Sequence, residues 1–255
     1  MDFREVSHSS FGQDHYDDYV VSSSSAASQT TNLILSSMPL EMNRLMKPAL
    51  KPVLLAKEQF LYQEEDRLDY IYFPETAVVS EFKILEDGRM VEIAVTGKEG
   101  AVGISSMFSD SHFAANCTQV SQAGTALRID AETFDKILRS NEKVRTSMSH
   151  FVDLYIRQIS QKAICNMYHS VKERLCTWLL MLQDRCGQRI LSLTHEQIAR
   201  TLGVYRPSIT CIAQELRDGN LISYSRGGIT IRDRRRVEQS ACSCYMEIGF
   251  AAPTF

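Results

Sequence analysis

The 255 residues suffice for two domains with separate cores, and 44% apolar with 23% charged residues is the composition of a globular protein. No apolar run approaches the roughly 20 residues of a membrane span, and the N-terminus lacks a basic region followed by an apolar one, so no membrane is expected and the location read is the bacterial-type cytoplasm. The net charge of −3 hides an asymmetry: residues 167–255 carry 12 Lys plus Arg against 8 Asp plus Glu, whereas residues 1–166 carry 16 against 23.

Residues 1–31 are polar and serine-rich, with Ser22-Ser23-Ser24-Ser25 and the acidic Asp14, Asp17 and Asp18. This composition predicts a disordered tail. From Asn32 to Lys51, Leu33, Ile34, Met38, Leu40, Met42, Leu45 and Met46 predict short helices broken at Pro39 and Pro48. The period then changes to two. Gln59–Tyr62, Tyr70–Phe73, Ala77–Phe82, Met90–Val95 and Thr125–Ile129 read as short strands, separated by turn signals at Glu86-Asp87-Gly88-Arg89 and Gly97-Lys98-Glu99-Gly100. Such spacing predicts an antiparallel roll or barrel, assigned to residues 32–140.

Helical periodicity resumes at Ala131 with a break near Ser140-Asn141. Val144, Met148, Phe151, Val152, Tyr155, Ile159 and Ala163 recur at threes and fours, a stripe too apolar for a solitary exposed helix. Residues 141–166 are therefore read as a dimerisation helix that pairs with its copy; the competing possibility is that this face packs on its own roll. Residues 167–255 form the next unit. Val171–Gln183 carries Leu175, Trp178, Leu179 and Leu182 and opens its core.

The stretch Thr194–Gly219 carries the functional signal. Thr194 precedes Gln197 by the spacing of a capping box, which starts a helix, and Gly203 suits the left-handed turn that ends one. Pro207 then stands in the first turn of a second helix, where its missing N–H is tolerated. Burying Ile209, Ile212, Ala213 and Leu216 leaves Arg206, Pro207, Ser208, Thr210, Cys211 and Gln214 outward, the side that meets duplex DNA in a helix-turn-helix. A plain helical hairpin in another core has the same pattern. Two strand-like runs, Leu221–Tyr224 and Ile229–Ile231, around Ser225-Arg226-Gly227-Gly228 then predict a wing. Thr194, His195 and Arg226 complete the candidate DNA-binding set, with Arg232, Arg234, Arg235 and Arg236 placed to meet phosphates.

Seven cysteines, at 117, 165, 176, 186, 211, 242 and 244, are an odd number without a secreted framework and read as reduced thiols. Cys242 and Cys244 make a C-x-C pair, but no second pair or His cluster at a ligand spacing accompanies them. No metal and no cofactor is expected. His112 and His150 are candidate haem ligands only in the sense that any lone histidine is.

The order of acidic roll, long helix and winged helix-turn-helix, together with Ala199, Gly203, Val204, Arg206 and Asn220-Leu221-Ile222, resembles the Crp/Fnr superfamily of bacterial transcription regulators over about residues 32–245. Tyr72-Phe73-Pro74 and Gly97-Lys98-Glu99-Gly100-Ala101-Val102-Gly103 are similar to a subgroup distant from cyclic-AMP receptors in its sensor. The resemblance implies an α+β chain with a cyclic-nucleotide-binding-like jelly roll, a homodimer on a two-fold operator, RNA polymerase as a partner, and no enzymatic activity. Nucleotide-binding members have a Gly-Glu pair for the ribose and an Arg-Ser pair for the cyclic phosphate; here the matching stretches are Val102-Gly103-Ile104-Ser105 and Ala114-Ala115. Alanine cannot hold a phosphate, so cyclic-AMP control by the usual contacts is not expected. The iron–sulfur branch uses N-terminal cysteines, whereas the first one here is Cys117. In the recognition helix the family's Arg-Glu-x-x-x-Arg becomes Arg206-Pro207-Ser208-Ile209-Thr210-Cys211, which implies a different operator, with Thr210 and Gln214 as base readers. Other readings are a sensor of another nucleotide or of redox state, with Cys211 as switch, and a regulatory subunit that uses both domains for protein contacts. No phosphate-binding glycine loop, nucleophile elbow or metal-spaced His/Glu set favours an enzyme.

Overall fold

Asn32 anchors the first helix by being buried rather than exposed. Its Oδ1 accepts from the Leu35 amide, while its Nδ2 donates to the carbonyls of Pro74 and Gly100 at 2.8 and 2.9 Å. The computed structural model describes residues 30–108, 112–225 and 227–248. Residues 1–29 of the expected disordered tail lie outside them. Thr30 and Thr31 belong to the roll, since both donate to Glu75.

Helices α1 (Leu33–Ser37) and α2 (Leu40–Met46) separate at Pro39, as the sequence predicts, and bury Ile34, Leu35, Met42 and Met46 against the roll. The roll comprises β1 (Lys51–Leu55), β2 (Phe60–Tyr62), β3 (Tyr70–Pro74), β4 (Val78–Ile84), β5 (Met90–Thr96), β6 (Cys117–Gln122) and β7 (Gly124–Asp130). These form antiparallel sheets of order β1-β7-β3 and β2-β6-β4-β5. Strands β1 and β6 are absent from the sequence reading. In β1, Pro52 looks like a breaker, yet β1 is an edge strand, where a missing N–H is tolerated. In β6, the polar Thr118, Gln119 and Gln122 are buried because this strand is central, which hides the usual alternation.

Helix α3 (Ala131–Ser140), capped by Asp130, is followed by α4 (Glu142–Tyr168), capped by Asn141. Much of the α4 stripe packs on its own roll. Val144, Met148, Phe151 and Tyr155 are buried in the core shared with β3, β4 and β5, and Val152 and Ile159 pack at its margin. Tyr155 donates to Glu81 at 2.6 Å, and Gln158 exchanges hydrogen bonds with both backbone groups of Val95. Gly100 makes this close approach possible, because a Cβ there would stand 2.7 Å from the Phe151 ring. The dimerisation assignment of Val144, Met148, Phe151 and Tyr155 is thus corrected. Spacing at threes and fours marks an apolar face without saying what covers it. The adjacent α4 face, with Ile156, Ala163 and Met167, is the exposed one.

Helix α5 (Val171–Cys186) starts in a Ser170–Glu173 capping box and runs through a second core. Around it stand β8 (Leu191–Ser192), α6 (His195–Leu202), α7 (Arg206–Asp218), β9 (Ile222–Ser225), β10 (Gly228–Ile231), α8 (Arg234–Ser240) and α9 (Cys244–Glu247). Strands β9 and β10 are the predicted wing, with β8 added in the order β8-β10-β9. Among the described residues no helix is long and apolar enough to cross a membrane.

Two buried ion pairs join roll to C-terminal domain. Glu92, fully buried on β5, takes Lys162 of α4, the Ser80 hydroxyl and the Trp178 indole N–H of α5. Arg185 of α5 meets Glu99 at 2.7 Å, a charge contact without good hydrogen-bond alignment. Polar contacts extend this junction: Gln122 and Ser192 bond reciprocally, and Lys57 and Glu58 reach Gln197 of α6. The cysteines also depart from expectation. The C-x-C pair meets its complement in space, because the last turn of α4 brings Cys165 and His169 against Cys242 and Cys244.

Candidate nucleic-acid interface

The capping box at Thr194 forms as its spacing predicts: the Thr194 hydroxyl accepts from the Gln197 amide at 3.2 Å, and the Gln197 side chain accepts from the Thr194 amide at 2.9 Å. Both orphan donors of α6 are thereby satisfied. Gly203 then takes φ +64°, and its amide closes the last turn of α6. Tyr205 precedes Arg206 and Pro207 in the first turn of α7.

This turn orients α7 with Ile209, Ala213 and Leu216 buried. Arg206, Pro207, Ser208, Thr210, Cys211 and Gln214 are all exposed along one side, so the structure brings these six predicted residues to one surface. Thr194 lies at the start of α6 beside them. His195 is half-buried and braces the two helices. The Thr210 hydroxyl donates to the Arg206 carbonyl, so the 3.1 Å contact from His195 Nδ1 needs the proton on that nitrogen. The His195 ring also meets Tyr224 of β9 edge-on at 5.2 Å. Burial, and then the Arg206 charge, hold the imidazole below its usual pKa, so it stays neutral at physiological pH.

Arg206 lies 3.9 Å from Glu196, with both side chains mostly in solvent. Such a pair is weak and readily exchanged for a phosphate or base edge. Arg226, expected at the wing tip, lies outside the described residues. Of the four C-terminal arginines expected to meet phosphates, Arg235 is exposed and the other three also have partners within the chain. Arg234 is committed to Asp184, Glu238 and Tyr245, Arg236 donates to the Gly219 carbonyl, and Arg232 donates to Ser223. Tyr205 was missed by the sequence reading, although it is 86% exposed at the tip of α7.

On the roll, Ala114 is buried and the Ala115 carbonyl accepts from Lys83, which is also paired with Glu64. A side chain at Gly103 would meet Tyr62, Leu68 and Ile71, and the next residue, Ile104, stands buried where the family's pair has its Glu. His112 stands 3.6 Å from Asp135, and His150 is exposed on α4, so the structure gives neither the setting of a haem pocket.

An exposed recognition helix and wing, carried by one long helix on an antiparallel roll, define a two-domain DNA-binding regulator. Residues 173–240 match the Crp-like helix-turn-helix domain and residues 52–141 the cyclic nucleotide-binding domain. The chain is 22% identical over 204 residues to the anaerobic regulatory protein of Bacillus subtilis, covering 76% of this chain and 86% of that one. Among solved structures, a Crp/Fnr transcriptional regulator from Eubacterium rectale superposes with a TM-score of 0.63 at 20% identity, covering 79% and 94% of the two chains. FixK2 from Bradyrhizobium japonicum superposes with a TM-score of 0.64 at 16% identity, covering 76% and 98%. The chain belongs to the Crp/Fnr family of transcription regulators.

Proposed function

We propose that this regulator acts as a homodimer that reads a two-fold operator through α7 and is not controlled by cyclic AMP. The observation that carries the reading is the outward side of α7, where six contiguous polar or small residues are exposed while its inward side is fully buried. Arg206 contacts a guanine edge or phosphate, Thr210 and Gln214 meet thymine and adenine, and Ser208 and the α6 start at Thr194 and His195 meet the backbone. Arg226 on the wing adds a further phosphate contact. Pro207 and Cys211 make no bidentate base contact, which sets this operator apart from those read by Arg-Glu-x-x-x-Arg.

The dimer forms through the α4 face on which half-buried Val152 and Ile159 and exposed Ile156, Ala163 and Met167 follow one another at spacings of three and four, as a pairing helix requires. Residues 32–140 act as sensor, 141–166 as the pairing helix and 167–255 as the DNA-binding unit, with RNA polymerase as the partner of the bound dimer. A symmetric pair sets its recognition helices about 34 Å apart, so half-sites one helical turn apart are expected. Independence from cyclic AMP is supported by the alanines at the phosphate position and by the buried Ile104 in place of the family's Glu. Selection of genomic fragments with the purified full-length protein tests the reading. Enrichment of an inverted repeat with that spacing supports it, and retention of DNA without a common sequence defeats it. Calorimetric titration with cyclic AMP is expected to give no heat of tight binding.

A further inference from the structure

Seven thiols in a reduced protein ordinarily fill core space, and Cys117, Cys176 and Cys186 do so separately. The remaining buried three converge. The Sγ atoms of Cys165, Cys242 and Cys244 and a ring nitrogen of His169 all lie within 4.8 Å of one another, although the pairs are more than 70 residues apart in sequence. Cys165 and Cys242 approach to 3.5 Å, and Cys244 Sγ stands 3.4 Å from His169 Nδ1.

From these residues we propose a mononuclear, tetrahedral Cys3His zinc site that clips the C-terminal segment to the end of α4. With Zn–S near 2.3 Å and Zn–N near 2.0–2.1 Å, a tetrahedral site spaces sulfurs about 3.8 Å apart and sulfur from nitrogen about 3.6 Å apart. The Cys165–Cys242 and Cys244–His169 separations are close to these values, and the remaining ones, all within 4.8 Å, need side-chain movements of about an ångström or less to complete the shell. An iron–sulfur cubane, held by thiolates across an inorganic core, needs them farther apart. Three thiolates and one imidazole also select zinc or a similar borderline-soft ion over magnesium or calcium.

The surroundings suit thiolates. Gln161 Nε2 donates to Cys244 Sγ at 3.1 Å, and the Thr177 hydroxyl lies 3.0 Å from Cys242 Sγ while also accepting from the Cys242 amide. These are the outer contacts that orient metal ligands. Three thiolates around a dication leave one negative charge, and Arg174 interacts electrostatically with both Cys165 and Cys242 while its buried Nε has no hydrogen-bond partner. Its other end donates to the Leu202 carbonyl at the end of α6. Four protein ligands leave no open position, which makes the site structural rather than catalytic. It ties α4, which carries the proposed pairing face, to the segment that follows the winged domain. The site does not rest on the operator reading, and its test does not use DNA.

The test is titration of the reduced, metal-free full-length protein with Co2+ under nitrogen. One equivalent per chain is expected to produce the intense visible bands of tetrahedral cobalt and thiolate-to-cobalt charge transfer in the near ultraviolet, both displaced by Zn2+. His169→Ala, at a half-buried position, is expected to keep the native circular dichroism and to weaken Co2+ binding by more than about tenfold. Cys244→Ser is expected to lose charge-transfer intensity, whereas Cys117→Ser and Cys211→Ser retain the full spectrum. Zn2+ is also expected to raise the Tm of the unaltered protein and not that of His169→Ala. Absence of the tetrahedral spectrum, an unchanged spectrum in His169→Ala and Cys244→Ser, or a Tm indifferent to Zn2+ in the unaltered protein would each overturn the site.

Discussion

Arg206 is the residue on which the proposed readout turns. Its pairing with Glu196 is loose and solvated, so little is lost when it turns to DNA. Arg206→Ala is expected to cost about 1–3 kcal/mol of operator binding, or about five- to 150-fold. Fluorescence anisotropy on a selected fragment reads this directly; binding within twofold of the parent would remove Arg206 from base or phosphate contact. Cys211 is the one exposed cysteine of the seven. Carboxymethylation with iodoacetate should therefore modify it first and place a negative charge on the α7 face, abolishing DNA binding in the parent and leaving Cys211→Ser active. At this scale the sequence was highly legible, because capping and turn chemistry at Thr194, Gly203 and Pro207 are local. His195 was less so, since its brace to Thr210 and Tyr224 depends on where the wing returns.

At the scale of elements, α4 shows what periodicity leaves open. Its apolar positions span two adjoining faces, and the sequence reading merged them. Only packing separates the buried set around Phe151 from the exposed set around Ile156. Ile156→Glu should consequently yield a monomer by light scattering with an unchanged circular-dichroism spectrum, whereas Phe151→Ala should lower stability by about 3–5 kcal/mol. A dimer that persists in Ile156→Glu places the interface elsewhere. The contact between α4 and β4 also titrates. Burial pushes the Glu81 carboxyl above its usual 4.5, and hydrogen bonds from Tyr155 and Asn116 only partly oppose this. The folded state then holds the proton more tightly than the unfolded chain, so the benefit of protonation is complete below about 4.5 and lost as pH rises through the higher folded value. Glu81→Gln keeps an acceptor for both donors and removes the titration. It is expected to raise Tm at neutral pH, with the difference from the parent vanishing in acid.

At the scale of the whole molecule, the features that sequence could not disclose are those made by distant segments. The residues of the cysteine–histidine cluster are individually ordinary until α4 ends beside the segment that carries Cys242 and Cys244. The junction around Glu92 is of the same kind: β5 supplies the carboxylate, α4 Lys162, and α5 Trp178. A fully buried carboxylate is tolerated only while its partners hold it, so the junction should fail asymmetrically. Lys162→Met removes the counter-charge and strands Glu92, with an expected loss of about 3–5 kcal/mol. Adding Glu92→Gln removes the stranded charge while leaving the amide oxygen to accept from Ser80 and the indole, so the double variant should recover much of that loss. Trp178 is the chain's single tryptophan and donates to Glu92, which makes its fluorescence a local reporter during urea unfolding. If roll and DNA-binding domain are held as one cooperative unit, the fluorescence and far-ultraviolet transitions coincide in the parent and separate in Lys162→Met, the tryptophan signal changing first. Coincident transitions in Lys162→Met, with stability within about 1 kcal/mol of the parent, would mean that the pair is a passive contact. The two domains would then owe their arrangement to the surrounding apolar surface of Val78, Val95 and α5.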